Sequence, residues 1–107
     1  MNAQTIFTTE RAGQYLASLC KHFGHKVPVQ YDPRSGRIEL PFGQCDLAAD
    51  EATLTLTARA ENQPDLDRTI GVMTSHLERF AFRENPHLAW APPQTPARPD
   101  VAVGPNA

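Results

Sequence analysis

The segment from Pro64 to Arg83, PDLDRTIGVMTSHLERFAFR, constrains the fold more than any other part of the sequence. Its apolar residues recur at alternating intervals of four and three, the spacing of an amphipathic helix with one buried stripe. The helix ends agree, because Pro64 suits a first turn and the basic Arg79 and Arg83 lie at the negative pole of the helix dipole. The pattern therefore predicts a helix over 64–83 that lies on a sheet. Its buried stripe consists of Leu66, Ile70, Met73, Leu77 and Phe80.

Length and charge narrow the class of protein. A chain of 107 residues predicts one domain with a single modest core. The net charge of −2 gives no global field that would recruit nucleic acid or an anionic membrane. No stretch approaches the roughly 20 apolar residues that span a bilayer, and the first residues lack the basic start of a signal peptide. We therefore expect a cytoplasmic protein with neither nucleic acid nor membrane as a partner.

A second helix is predicted near the N-terminus. Residues 3–8 form a short strand, after which Thr8 or Thr9 can cap a helix with its side-chain oxygen. The helix extends from Glu10 to Phe23, and Gly24 ends it in the left-handed conformation. The chain therefore contains two amphipathic helices.

Between the two helices the apolar period changes from 3.6 to 2, which predicts four strands in a meander. The first of these strands should lie at an edge or open with Pro28 near its start, because proline cannot donate to a ladder. One more short strand, at Leu88 and Trp90, follows the long helix, and the proline-rich residues 92–107 form a disordered tail after a single domain over 1–91. The inward residues of the meander are Val27, Val29 and Tyr31, then Ile38 and Leu40, then Cys45 and Leu47, and finally Leu54, Leu56 and Ala58.

The predicted element order is β-α-β-β-β-β-α-β, which indicates an α+β fold. We expect a curved antiparallel sheet of four to six strands with both helices on one face, similar in shape to the TATA-binding-protein fold. A ferredoxin-like arrangement is the alternative, and it is disfavoured because it needs a helix inside the meander.

Two basic clusters supply the candidate ligand-binding residues. One lies at the end of the first helix and the other along the border of the long helix. Arg79 and Arg83 repel each other at i, i+4 unless an anion or one of the carboxylates Glu84, Asp46 and Glu39 lies between them. A bound carboxylate, phosphate or chelate would satisfy the same requirement, with His76 as a pH-sensitive donor. The candidate residues are Lys21, His22, His25, His76, Arg79 and Arg83.

The two cysteines, Cys20 and Cys45, are expected to be free thiols in the core. On a helix Cys20 and His22 leave the axis about 200° apart, so these two cannot share a metal ion. A metal site would need Cys20 with Cys45, or the three histidines 22, 25 and 76, and neither set has the usual ligand spacing. We therefore expect no metal and no other cofactor.

The runs LCKHFGHKVPVQY, at 19–31, and HLERFAFRE, at 76–84, resemble the bacterial domain-of-unknown-function family 2218. The resemblance covers about residues 3–91. It implies an association with siderophore-interacting flavoproteins that reduce ferric chelates, but it brings no activity of its own. The chain lacks a glycine-rich dinucleotide loop, so it is not itself the flavoprotein.

No catalytic signature is present, and an enzyme would have to use His76 as a general base beside Arg79. The leading hypothesis is a non-catalytic binding or accessory module for an anionic small ligand or iron chelate. One alternative is an interaction module that forms a homodimer or docks on a flavoprotein reductase, through its polar strand face or the edge at 27–31. The other alternative is a metal-binding protein.

Overall fold

The protein is an antiparallel sheet with two helices on one face, as seen in a computed structural model that describes residues 1–92. The tail predicted for 92–107 lies outside the described residues, apart from Pro92. The strands are β1 (Asn2–Thr8), β2 (Val29–Tyr31), β3 (Ser35–Leu40), β4 (Gly43–Ala49) and β5 (Thr53–Arg59), and the helices are α1 (Ala12–Phe23), α2 (Gln63–Phe80) and a short 3₁₀ helix (Phe82–Glu84).

The strands form one five-stranded sheet in the order β1-β5-β4-β3-β2, and every neighbouring pair is antiparallel. The α+β prediction is therefore confirmed, as is the position of β2, directly after Pro28, at an edge. The ferredoxin-like alternative is wrong, because no helix interrupts the run from β2 to β5. The first strand closes the other side of the sheet by pairing with β5, for example Thr5 with Leu56.

The core lies between the sheet and the two helices. In β5 the alternation of Leu54, Leu56 and Ala58 with threonines places the apolar residues inside and leaves the threonines half-buried. From α2, Met73 and Leu77 meet this face at full burial. At roughly 25 cal/mol per Å² of apolar area, this burial is the main stabilising term. None of the helices within residues 1–92 has the length and apolar content that crossing a membrane requires.

Cys20 on α1 and Cys45 on β4 are both buried free thiols, as predicted. Burial raises the pKa of the Cys20 thiol to about 11 and raises that of Cys45 as well. Because a thiolate is the nucleophile and metal ligand, these neutral thiols act as small core residues at neutral pH. Gly36 on β3 makes room for Cys20, since a Cβ at Gly36 would lie 2.9 Å from the Cys20 sulfur.

The helix α1 ends at Phe23 as predicted, but its start and the conformation of Gly24 need correction. The helix begins at Ala12, later than predicted, and its N-cap residue, Arg11, makes no side-chain cap. The Thr9 hydroxyl instead accepts a hydrogen bond from the Arg11 N–H at 3.0 Å, which forms a local turn and delays the helix start. Gly24 has φ −62°, a right-handed conformation, and its N–H donates to the Cys20 carbonyl at 2.9 Å.

The predicted end of the long helix is also wrong. α2 ends at Phe80, and the chain then tightens into the 3₁₀ helix Phe82–Glu84. Asn85 follows in the left-handed conformation, with φ 50°, directly before Pro86. A residue before proline avoids the right-handed helical region, and asparagine tolerates the left-handed one, so this dipeptide ends the 3₁₀ helix at Glu84. Arg83 consequently leaves the surface of α2.

The strand predicted at Leu88 and Trp90 is reduced to a single bridge between Gln4 and Ala91. The two residues exchange backbone hydrogen bonds of 2.7 and 3.0 Å. Next to the bridge, the Trp90 indole N–H donates to the Thr74 hydroxyl of α2 at 2.8 Å. This side-chain anchor holds the segment against the helix, so it meets β1 at one residue pair and does not extend the sheet.

Candidate functional site

The end of α1 lies beside the last turns of α2, and this packing brings His22 and His76 together. Their ring centroids are 4.9 Å apart. Each histidine lies at the border of the apolar face of its own helix, so the two meet at one edge when the helices pack side by side. His22 is exposed and His76 is half-buried, which leaves the pair open to solvent on one side.

Two phenylalanines support the histidine pair from the protein side. The Phe23 ring lies 4.7 Å from His76 and 5.4 Å from His22, between centroids, and the Phe80 ring lies 5.8 Å from His22. Phe23 is buried and Phe80 half-buried. A polar group bound next to these rings is partly shielded from water, which strengthens its electrostatic interactions.

One hydrogen bond fixes the tautomer of His76. Its Nδ1 lies 2.7 Å from the Val72 carbonyl oxygen, one turn earlier in α2. A carbonyl oxygen can only accept, so Nδ1 must carry a proton and donate. The Nε2 atom is then the ring nitrogen left for another partner, and it donates only when the ring is protonated.

Positive charge accumulates around His22. Partial desolvation lowers the pKa of His22 below its ordinary value, and nearby positive charges lower it further. Like charges disfavour the protonated ring, because each added charge raises its energy. The neighbours responsible are His76 and Arg79 from α2, and His25 and Lys26 from the residues after α1. We call these five residues, His22, His25, Lys26, His76 and Arg79, the basic cluster.

The structure assembles four of the six predicted residues and separates the other two. His22, His25, His76 and Arg79 belong to the basic cluster. Lys21 is exposed in the last turn of α1 and is not one of the cations that act on His22.

Arg83 is the other predicted residue that lies outside the basic cluster. It lines a different cavity, of about 620 Å³, together with Thr8–Arg11, Ala52 and Glu84, and its guanidinium carbon lies 5.6 Å from the centroid of the neighbouring Phe82 ring. Arg83 therefore does not share the surface of α2 with Arg79, because it lies in the 3₁₀ helix that follows α2.

Three residues of the site did not appear among the predicted ligand residues. Lys26 lies close to Lys21 in the sequence, and only tertiary packing distinguishes the two. Phe23 and Phe80 lie at apolar positions of their helices, and this pattern indicates core residues and not a ligand site.

The carboxylates that could have neutralised the arginines are engaged elsewhere. Asp46 accepts from Arg37 at 2.9 Å and also lies 3.4 Å from Arg59. Glu84 accepts a short hydrogen bond from the Tyr15 hydroxyl. Glu39 lies on the face of the sheet that the helices leave uncovered, since its neighbour Ile38 points into the core. Within residues 1–92, no Asp or Glu forms an ion pair with the basic cluster.

The bond between Tyr15 and Glu84 gives a stability prediction. Tyr15→Phe is expected to lower the free energy of unfolding by about 1 kcal/mol at pH 7, because the buried ring loses a hydrogen bond to a charged acceptor at the surface. The Tyr15 hydrogen bond is the main cause that lowers the pKa of Glu84. The stabilisation is therefore present above the ordinary carboxyl pKa and is lost as the pH falls through the lowered value.

Urea denaturation at pH 7 and at pH 3 measures this difference. Tyr31→Phe is the matched control, because the Tyr31 side chain is exposed and makes no hydrogen bond within the described part of the chain. Equal stability of the wild type and Tyr15→Phe at pH 7 would contradict the prediction.

No group of three or more His, Cys, Asp or Glu side chains within residues 1–92 is placed to hold a metal ion. The histidine trio 22, 25 and 76 does not form such a group, and neither does a set built on Cys20 and Cys45. What the basic cluster offers is a set of hydrogen-bond donors with positive charge, which suits an anion.

Comparison with known proteins shows what the chain is similar to in fold and in sequence. The chain is similar to the NMR structure of PA4090 from Pseudomonas aeruginosa, with a TM-score of 0.74 and 30% sequence identity over 88% of this chain and 98% of that one. No curated protein matches the sequence. The model of a family described as uncharacterized protein conserved in bacteria (DUF2218) matches residues 4–91. The resemblance inferred from the runs at 19–31 and 76–84 is thereby confirmed.

Proposed function

We propose a function for this domain from the premise that the chain belongs to DUF2218, a family of uncharacterised proteins conserved in bacteria. The domain is a non-catalytic binding module, and the basic cluster holds a small anionic ligand. The observation that carries this proposal is the gathering of five basic side chains from α1, the loop after it and α2, with no ion-paired carboxylate among the described residues.

The cost of assembling the cluster supports a ligand. Positive groups that approach one another destabilise the fold unless a negative charge offsets them. The chain has enough acidic residues to supply one, with twelve Asp and Glu in total, yet Asp46 and Glu84 bond to other partners. An anion from solution would therefore find unsatisfied charge at the cluster.

The donors suit an oxyanion. Arg79 is exposed, and its planar guanidinium can bind a carboxylate, sulfate or phosphate through two parallel hydrogen bonds. Nε2 of His76 and the exposed ring of His22 add donors when these rings are protonated. Binding by positioned donors alone requires no nucleophile and no metal, in keeping with a module that binds but does not react.

The chemistry also admits an anionic iron chelate, the ligand that the family resemblance suggests. A ferric complex with carboxylate ligands presents oxyanion groups at its surface, which the same donors would recognise. An open site between two helix ends accommodates such a bulky ligand more readily than an enclosed cavity would, and the exposure of His22, His25 and Arg79 supports this.

The test compares two exposed arginines near the same end of the molecule. Citrate should raise the melting temperature of the wild type, and Arg79→Ala should reduce the affinity for citrate by at least about tenfold, since a hydrogen bond to a charged group contributes about 1.5–3 kcal/mol. Arg83→Ala, outside the basic cluster, should bind citrate as the wild type does. Both variants should melt normally in buffer, because both side chains are exposed.

Equal loss of citrate binding in the two variants, or in neither, would contradict the assignment of the site. Ferric citrate at the same total citrate concentration forms a second arm of the experiment. A tighter response to the ferric complex than to citrate would support the iron chelate, and an equal response would support a simple anion.

A further inference from the structure

The outer face of the sheet, opposite the helices, is a second surface of interest. In one of its rows, strand register places Ile6 of β1 beside Thr55 of β5, which in turn lies beside Ala48 of β4. Ile6 is 61% exposed, and Ala48 is also exposed. Isoleucine favours strands, but its usual place is a covered face. The methyl groups of the row form a small apolar patch across three strands.

The charges around this patch balance one another. Arg37 and Arg59 carry two positive charges on the outer face, while Glu39 and Asp46 carry two negative charges. A neutral face can approach a copy of itself without net repulsion, whereas a face of one sign cannot.

Both lysines of the protein, Lys21 and Lys26, lie near the end of α1 and not on this face. Depletion of lysine is typical of protein interfaces.

The two sheet edges are less suited to association. The β1 edge already pairs with Ala91 through the bridge at Gln4. The β2 edge has three residues, and Pro28 and Pro33 flank it closely. Short edges bounded by proline disfavour strand addition. Of the two surfaces that the sequence offered, the polar strand face and the edge at 27–31, the face is therefore the better one for a partner.

The size of the face fits a small interface. Five strands about 4.8 Å apart, with up to seven residues at about 3.3 Å each, cover roughly 500 Å² in plan. The accessible area of a pleated surface exceeds its plan area, which brings the face close to the roughly 800 Å² per partner of a standard interface. Such a contact suits a reversible dimer.

We propose that the outer face is the contact surface of a homodimer, in which the row of Ile6, Thr55 and Ala48 packs against the same row of a second copy. The helices and the basic cluster remain on the outside of this dimer, since they lie on the other side of the sheet. The proposal therefore does not rest on anion binding, and either can fail alone.

Sedimentation equilibrium of the full chain at micromolar to millimolar concentrations tests the dimer. The wild type should show a concentration-dependent dimer, and Ile6→Glu should weaken it by at least about tenfold by placing a charge opposite its own copy. Phe82→Glu is the matched control, because Phe82 is 66% exposed but lies in the 3₁₀ helix after α2 and not on a strand. It should dimerise as the wild type does.

Ala48→Glu provides a second variant on the same row in case Ile6→Glu fails to fold, which a circular dichroism spectrum would reveal. A wild type that is monomeric at millimolar concentration would overturn the proposal. So would a dimer that both row variants leave unchanged, since that dimer would use another surface.

Discussion

Replacing Gly43 with alanine is expected to lower the free energy of unfolding by about 2–3 kcal/mol, the usual cost of forcing extra volume into a packed site. A Cβ at this position would meet the Thr69 hydroxyl and would lie 2.6 Å from the Arg59 carbonyl oxygen. Neither neighbour can yield easily. Thr69 is fully buried and donates to the Asp65 carbonyl at 2.9 Å, while the Arg59 carbonyl belongs to the backbone at the end of β5.

Gly71→Ala is the matched control, and it should raise the free energy of unfolding. Gly71 is exposed in α2, and a Cβ there meets nothing within 4 Å. Alanine in a helix interior is favoured over glycine by about 0.8–1.0 kcal/mol, so this variant should be more stable than the wild type. Urea denaturation of both variants measures the pair of effects. A Gly43→Ala protein as stable as the wild type would show that β4 does not approach α2 as closely as described.

The affinity of the basic cluster for sulfate is expected to fall as the pH rises, by up to about tenfold per pH unit for each proton that binding takes up. Partial desolvation, together with the charges of the cluster, lowers the pKa of His22 in the free protein. A bound anion offsets those charges and raises the pKa again, so binding favours the protonated ring. Sulfate is the suitable probe, because it stays a dianion across this range whereas phosphate and citrate titrate.

The direction of the His22 pKa shift can be checked without a ligand. Because the folded state disfavours the proton on His22, the unfolded chain binds more protons, and stability should decrease as the pH falls below about 6.5, the ordinary histidine value. Sulfate at constant ionic strength should reverse this loss. His22→Asn should bind sulfate more weakly at low pH and show a shallower pH dependence. A sulfate affinity that does not change between pH 5 and pH 8 would contradict the prediction.

Periodicity predicted the parts of the fold that depend on one face of an element. The alternation around Leu54 and Leu56 and the apolar stripe that includes Leu77 determine burial locally, so the strands and helices could be predicted from spacing. The meeting of His22 and His76 could be anticipated for the same reason, since each lies at the border of an apolar arc.

The errors occur where local chemistry or tertiary contact overrides the pattern. The stop at Asn85 and Pro86 is readable as a turn dipeptide, but the apolar and basic residues before it favoured a longer helix. Gly36 follows a proline in a typical turn sequence, yet it lies in β3, where the sulfur of Cys20 packs against it, and this contact between distant residues has no signal in the sequence. The engagement of Glu84 by Tyr15 joins residues far apart in sequence, and no spacing rule indicates it.

The anchor of Trp90 on Thr74 has a practical consequence. Trp90 is the only tryptophan in the sequence. Tryptophan fluorescence therefore reports on one contact, between α2 and the segment that bridges to β1. Detachment of that segment would change the emission while circular dichroism still recorded intact helices. The protein thus carries its own optical probe for telling local opening from global unfolding.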